Sequence, residues 1–287
     1  MRNQPVLALD VGGSSIKSAL VEAGQRIMNN VSIDAIQSQG SAAEILNTLA
    51  VIITRHLQNC KDAQGIAFAF PGPFDYEQGI CLIQNQEKYD SLYGLDISAN
   101  LKKILKMPNL EVRYRNDAEA AILGEALYGA GMPYSRLIGL TLGTGLGSAF
   151  VADGKLVTEG ANIPYRGWLY SIPFGAHRAD DVFSTRGLLA RLRECGIHAT
   201  DIASALRSPE KDTRALAQAF AAFGSDLGMF LKPFVSAFDA ETVLITGGIA
   251  ETWEFFAPSL TRSLSVPVLK GTLNTQASLL GAAALYF

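Results

Sequence analysis

Along the chain, short apolar runs with the character of buried strands alternate with longer segments whose apolar residues recur at helical spacing. Val6 to Val11 is a β-branched and aliphatic run that stops at Gly12-Gly13. It predicts a buried strand and a turn, and Ser15 to Val21 predicts the returning strand of a hairpin. Ser41-Ala-Ala-Glu44 has the form of a capping box, with Ile45, Leu49, Ile52 and Ile53 at helical spacing behind it. Ile66 to Phe70 predicts a strand that ends at Pro71-Gly72-Pro73. Ile97 to Leu105 predicts a short helix closed before Pro108, and Leu110 to Tyr114 a strand. Ala118 to Tyr128 predicts an alanine-rich helix ending before Gly129 and Gly131.

The pattern then restarts. Leu137 to Leu142 predicts a strand, Gly143-Thr-Gly-Leu-Gly147 a second glycine-rich tip, and Ser148 to Ala152 its return strand, followed by the hairpin-turn pair Asp153-Gly154. A helix is expected from about Val182 to Cys195. Asp212 can cap a longer one with Leu216, Phe220, Phe223, Leu227, Phe230 and Leu231 on its apolar face, and Pro233 is expected to kink or end it. Val243 to Ile245 predicts a strand ending at Gly247-Gly248, and Ser278 to Tyr286 an apolar terminal helix. Both halves follow strand, glycine-rich tip, return strand, then alternating helix and strand. That outline predicts two α/β lobes of related topology with a cleft between them.

Composition narrows the class. Of 287 residues 48% are hydrophobic and 18% charged, with a formal net charge of −3, which is ordinary for a globular protein. No basic stripe argues for nucleic acid. No run approaches the roughly 18 apolar residues that span a membrane. The apolar run at the N-terminus is broken by Asp10 and does not read as a signal peptide. Cys60, Cys81 and Cys195 lie far apart with no pair at metal-ligand spacing, so they read as reduced thiols of a cytoplasmic protein.

The candidate chemistry gathers at the glycine clusters. Asp10-Val-Gly-Gly-Ser-Ser-Ile-Lys17 places a carboxylate at a strand end and Gly12 and Gly13 in the tip, where backbone N–H groups can approach phosphate oxygens; Ser14 and Ser15 add hydroxyls. Asp10 there suits Mg²⁺ held through water, and a plain hairpin turn fits equally well. Gly143, Thr144, Gly145 and Gly147 form the second tip. It runs into a strand rather than opening a helix, which argues against a dinucleotide fingerprint. Gly247 and Gly248 permit close approach of an adenine or ribose, or make a tight strand-to-helix turn. Asp117 stands at a strand-to-helix junction, where it can serve as the base for an attacking hydroxyl or simply as the helix N-cap. Asn116 beside it can hold a neighbouring hydroxyl.

Five ordered stretches, LALDVGGSSIKSALV, FAFPGPFD, RNDAEAAILGEALYGAG, LGTGLGSAFVADGKL and LITGGIA, together resemble the ROK family (repressors, open reading frames, kinases), the sugar-kinase branch of the actin-like ATPases. The resemblance covers nearly the whole chain, with Ser14 where threonine is usual. It implies a two-lobed actin-like ATPase (ribonuclease H-like) α/β fold, with residues 1–117 and a C-terminal helix at about 276–287 as the small lobe and 118–275 as the large one. It also implies an ATP-dependent kinase acting on a hydroxyl of a hexose or hexose derivative, with Asp117 as catalytic base. Asp10, Gly12, Gly13, Ser14, Ser15, Lys17, Gly143, Thr144, Gly145 and Gly147 would hold Mg-ATP, and Gly247 and Gly248 would lie by the adenosine. Gly72, Asn85, Asn116 and Asp117 would face the sugar. A homodimer is implied as well, and polyphosphate stays open as a donor.

The chain departs from the family on the acceptor side. Where the family carries a Glu-x-Gly-His pair of sugar contacts, this chain has Arg166-Gly-Trp-Leu-Tyr-Ser171. Where most members carry a CxCGxxGC zinc loop it has GAHRADDVFSTRGLL, so no structural zinc is expected. Asp180 stands where the family has a sugar-binding glutamate ahead of Ser184. His177 could replace a lost contact or be a surface residue. Trp168 and Tyr170 could stack on a pyranose or pack the loop. Altered acceptor recognition follows, with glucose a poor substrate and a β-glucoside or amino sugar possible. Two other classes compete: a non-catalytic sugar sensor of the same fold, and an actin-like assembly protein or chaperone. A repressor is disfavoured, because the first strand starts by Val6 and leaves no room for a helix-turn-helix.

Overall fold

The computed structural model describes residues 4–22, 26–28, 30–207 and 212–287. The chain divides into two compact units, Met1–Gly124 with Thr275–Phe287, and Glu125–Asn274. In the first, β1 (Val6–Val11), β2 (Ser15–Glu22), β3 (Arg26–Ile27) and β4 (Ser32–Ala35) precede α1 (Ala42–Asn59). Then come β5 (Gly65–Phe70), the short pair β6 (Phe74–Asp75) and β7 (Ile80–Cys81), α2 (Ile97–Leu105), β8 (Val112–Asn116) and α3 (Asp117–Tyr128). The sheet runs β3-β2-β1-β5-β8 with β4 also on β2; β1 and β2 are antiparallel, β1, β5 and β8 parallel.

Every residue of β5 is buried, as expected of a parallel strand covered on both faces. Leu7, Leu9 and Val11 alternate with smaller side chains and join Ile66, Phe68 and Phe70 in one core with Ile45, Leu49 and Ile53 of α1. The capping box of α1 is formed: Ser41 and Glu44 bond reciprocally.

The second unit holds β9 (Arg136–Leu142), β10 (Leu146–Ala152), β11 (Lys155–Leu156), β12 (Pro173–Phe174), β13 (His177–Arg178), α4 (Ala179–Phe183), α5 (Thr185–Glu194), α6 (Ile202–Arg207), α7 (Thr213–Phe238), β14 (Thr242–Thr246), α8 (Trp253–Ser263) and β15 (Val268–Lys270). Its main sheet runs β11-β10-β9-β14-β15. The core gathers Ile138, Leu140, Phe183, Phe220, Phe223, Leu227 and Phe256.

Two local expectations are corrected. The helix expected from Val182 to Cys195 is two helices, broken at Ser184, whose backbone is extended at φ −100° and ψ 176°. Pro233 does not end α7, which continues to Phe238. Pro233 is exposed and Met229, four residues earlier, is 54% exposed, so the forfeited backbone bond falls on the solvent side.

The chain returns to the first unit as α9 (Ala277–Ala283), which packs on β1 and β5. Its residues are absent from the α1 core, which places it on the opposite sheet face, where Ala8, Ala67 and Ala69 are small and buried. Backbones of α3 and α9 touch: a Cβ at Gly124 would lie 2.0 Å from the Ala277 carbonyl oxygen, and one at Gly281 1.8 Å from that of Ala120. No helix among the described residues is long and apolar enough to cross a membrane.

Candidate functional site

The first glycine tip joins β1 to β2. The antiparallel register sets Asp10 opposite Lys17, and Lys17 Nζ lies 3.2 Å from Asp10 Oδ2. Gly12 N–H closes the turn on the Ser15 carbonyl at 2.9 Å, and Ser14 offers its carbonyl to Ile36 N–H at 3.1 Å. The tip carbonyls are engaged by hydroxyls: Tyr89 donates to Gly12 O and Ser38 to Gly13 O, each at 2.5 Å. Carbonyl oxygens that would repel an anion are therefore already occupied by donors, while Gly12, Gly13 and Ser14 remain exposed.

In the same unit Asn116 ends β8 and Asp117 opens α3. The helix cap belongs to Asn116, whose Oδ1 accepts from Ala118 N–H at 3.1 Å and Glu119 N–H at 3.2 Å. This corrects the reading of Asp117 as the N-cap. Asn116 Nδ2 donates to Tyr76 Oη at 3.0 Å, and Tyr76 Oη donates to Phe70 O at 3.2 Å. Gly72 belongs to this cluster, since a Cβ there would meet Tyr76 Oη at 3.1 Å and Asn116 Nδ2 at 3.8 Å. Asp117 is half-buried and accepts from Ala118 N–H at 2.9 Å. Burial pushes its carboxyl above the ordinary aspartate value. The Ala118 N–H opposes that rise, Asp10 adds to it, and Lys88 opposes it. Asn85 is exposed, with left-handed φ of 59°.

In the second unit the Gly143–Gly145 tip is closed by Gly143 N–H on Gly145 O at 3.1 Å. It is strapped at both ends by the α4–α5 corner. Thr185 donates both N–H and Oγ1 to Gly143 O, at 2.7 and 2.9 Å, and Asp180 Oδ1 accepts from Leu146 N–H at 2.7 Å. Asp180 Oδ2 takes Arg186 at 2.8 Å, and the same guanidinium nitrogen bonds Asp181. Both oxygens of Asp180 are thus bound to the chain itself. Thr144 and Gly145 are exposed at the tip, whereas Gly147 lies inside β10 opposite Thr141. Gly247 has φ 93°, and a Cβ there would stand 2.5 Å from Leu142 O; a Cβ at Gly143 would reach Gly248 N at 4.0 Å. The Gly247–Gly248 turn therefore flanks the second tip.

His177 is exposed on β13. Tyr165 meets Trp168 edge-on at 5.8 Å, Tyr170 lies 6.1 Å from Trp168, and the Arg166 guanidinium stands 5.0 Å from the Trp168 ring centre. Among the described residues no three His, Cys, Asp or Glu side chains cluster as a metal site, and the three cysteines are free. Sequence reasoning missed Ser38, Tyr76, Lys88, Tyr89 and Thr185. Their partners lie far along the chain and are brought near only by the fold.

Paired glycine-tipped hairpins on two such sheets define an actin-like ATPase fold. A ROK family profile matches residues 6–286, and the chain belongs to the ROK family. It is 24% identical over 271 residues to an N-acetylgalactosamine kinase of a Shewanella species, covering 87% of this chain and 83% of that one. It is 28% identical over 153 residues to the glucokinase of Thermotoga maritima, a match that takes in 53% of this chain and only 46% of that enzyme's length. The crystal structure of a ROK family glucokinase from Streptomyces griseus with glucose and AMPPNP superposes with a TM-score of 0.75 at 20% identity, covering 98% of each chain.

Proposed function

We propose that this chain is an ATP-dependent kinase that phosphorylates a hydroxyl of a hexose or hexose derivative. The observation that carries the proposal is Asp117: a half-buried carboxylate with raised proton affinity, free of the helix-capping task, in the same unit as an exposed glycine tip whose carbonyls are engaged. Phosphoryl transfer asks for positioning, charge stabilisation and a base, and a carboxyl held above its ordinary value accepts a proton more readily near neutral pH.

In this reading the first tip (Asp10, Gly12, Gly13, Ser14, Ser15) and the second (Gly143, Thr144, Gly145) bind donor phosphates through backbone N–H groups and hydroxyls. Gly247 and Gly248 approach the adenosine, and Gly72, Asn85 and Asn116 face the acceptor. A Mg²⁺ ion would neutralise phosphate charge; Asp10, a single carboxylate beside Lys17, fits an ion held mainly by donor and water rather than a protein cage. The relatives include a glucokinase, an N-acetylgalactosamine kinase and a β-glucoside kinase, which supports a sugar hydroxyl without selecting the sugar.

The test is coupled ADP release with Mg-ATP, and with polyphosphate in a parallel arm, across hexoses, amino sugars and β-glucosides, with Asp117→Asn as control. Turnover on one sugar that disappears in the variant supports the kinase. A sugar that raises the melting temperature but is never phosphorylated with either donor would instead make the chain a sugar sensor.

A further inference from the structure

We propose that Lys88 is a second catalytic residue, whose ammonium contacts the terminal phosphate groups of the donor at the first glycine tip. The inference rests on the kinase reading but draws on a different part of the chain.

The backbone around Lys88 is costly. Asn85, Glu87 and Tyr89 all have left-handed φ, at 59°, 57° and 59°. Non-glycine residues adopt that region at a cost and persist there only where surroundings impose it. The surroundings are specific. The Tyr89 side chain is fully buried, its N–H bonds Ser38 O at 2.6 Å, and its hydroxyl bonds Gly12 O at 2.5 Å. Ser38 in turn bonds Gly13 O. The segment is therefore stitched to both glycines of the tip. Lys88 stands between the two left-handed residues, and its stem lies over that tip: a Cβ built on Gly13 would be 3.9 Å from Lys88 Cδ.

The charge of Lys88 is also placed for use. Lys17, the other lysine of the tip, pairs with Asp10, whereas Lys88 makes no ion pair within 4.0 Å among the described residues. A solvated surface lysine would need neither the strained backbone nor the buried tyrosine beside it. In the transfer, the acceptor oxygen bonds to the terminal phosphorus as its proton passes to Asp117. The bond from phosphorus to the bridging oxygen breaks, and its electron pair leaves with the diphosphate. Lys88 takes no part in the proton transfer and offsets charge on the phosphoryl oxygens throughout.

The test compares Lys88→Met and Lys88→Arg with wild type in the full chain. Calorimetric affinities for AMP, ADP and ATP come first, with polyphosphate as a further probe, because they need no turnover. Lys88→Met should weaken ATP at least tenfold and leave AMP unchanged. It should also cut kcat by about 10²-fold, the usual effect of removing one charge-stabilising donor, with Lys88→Arg recovering much of the loss. The charged groups facing Asp117 are Asp10 on β1, itself paired with Lys17 on β2, and Lys88. The acid limb of the pH–rate profile should therefore move up in Lys88→Met and return in Lys88→Arg, a shift that a purely structural role would not produce. Wild-type affinity for ATP and polyphosphate in Lys88→Met overturns the proposal, as does equal loss in both variants with a lowered melting temperature. If no sugar is phosphorylated yet the ATP–AMP contrast holds, the kinase reading fails and the phosphate contact stands.

Discussion

Replacing Asp117 with asparagine separates the proposed base from every structural role the residue could have. The two side chains are nearly isosteric, and α3 keeps its cap because Asn116 Oδ1 supplies it. Asparagine also caps a helix about as well as aspartate, so no capping penalty attaches to the variant. The catalytic effect is large. A positioned general base contributes about 10²–10⁴-fold, which at about 1.36 kcal/mol per decade is roughly 2.7–5.4 kcal/mol of barrier. The stability effect has the opposite sign. Burial raises the proton affinity of folded Asp117, so the folded chain is favoured while the group is protonated in both states, below the ordinary aspartate value. That contribution is lost as pH rises through the raised folded value, and ionised Asp117 is a net cost above it. Asparagine escapes the cost. The variant should melt at or above the wild-type temperature at pH 7–8, and the difference should close as pH falls through the carboxylate range. Calorimetric melting from pH 4 to 8 beside the coupled kinase assay tests both limbs. A variant that keeps its turnover removes Asp117 from the mechanism, and one that is inactive but markedly less stable at neutral pH refutes the burial argument.

The strap on the second glycine tip makes a second test. Thr185→Val deletes the 2.9 Å hydroxyl bond to Gly143 O, worth about 0.5–1.5 kcal/mol; it should raise KM for ATP several-fold and leave KM for the sugar unchanged. Asp180→Asn should follow the same pattern, whereas a rise confined to the sugar's KM would return Asp180 to the acceptor. Gly281→Ala drives a methyl to 1.8 Å from Ala120 O, so α9 must move off α3; overpacking of this kind costs about 1–3 kcal/mol or more, and an unchanged melting temperature would contradict the contact. Glu125 is fully buried and accepts from Leu273 N–H at 2.7 Å and Ala130 N–H at 3.1 Å. Glu125→Ala should strand both donors at about 1–3 kcal/mol apiece, seen as a clear fall in melting temperature.

What the sequence made legible was local. The Ser41 capping box needs only four residues, and the Asp153-Gly154 turn needs two, which take φ 50° and 71°. The run at β5 is wholly apolar because both its faces are covered. What stayed hidden depends on partners far along the chain. The break between α4 and α5 follows from Thr185 bonding Gly143, 42 residues away. The cap at α3 lies with Asn116 rather than its neighbour because Tyr76 fixes the asparagine amide from 40 residues upstream. Lys88 sits in a polar stretch with no period, and its meaning comes from Tyr89 reaching Gly12, 77 residues earlier.

These distances bear on how such a chain can change its acceptor while keeping its donor. Donor recognition, as proposed, rests on backbone N–H groups at glycine tips, and those tips are held by hydroxyls and one carboxylate from distant segments. A substitution at the tips or their straps therefore disturbs a shape that several distant residues hold. The stretch from Arg166 to Ser171 is built differently. Buried Ser148 holds its backbone by donating to Gly167 O and accepting from Leu169 N–H, both at 2.8 Å. The side chains of Tyr165 and Tyr170 are meanwhile exposed. Pinning by a strand residue fixes the course of the loop independently of what its side chains present. If this loop faces the acceptor, as the family resemblance implies, its polar contacts can be exchanged for Trp168 and Tyr170 without disturbing the backbone that Ser148 holds.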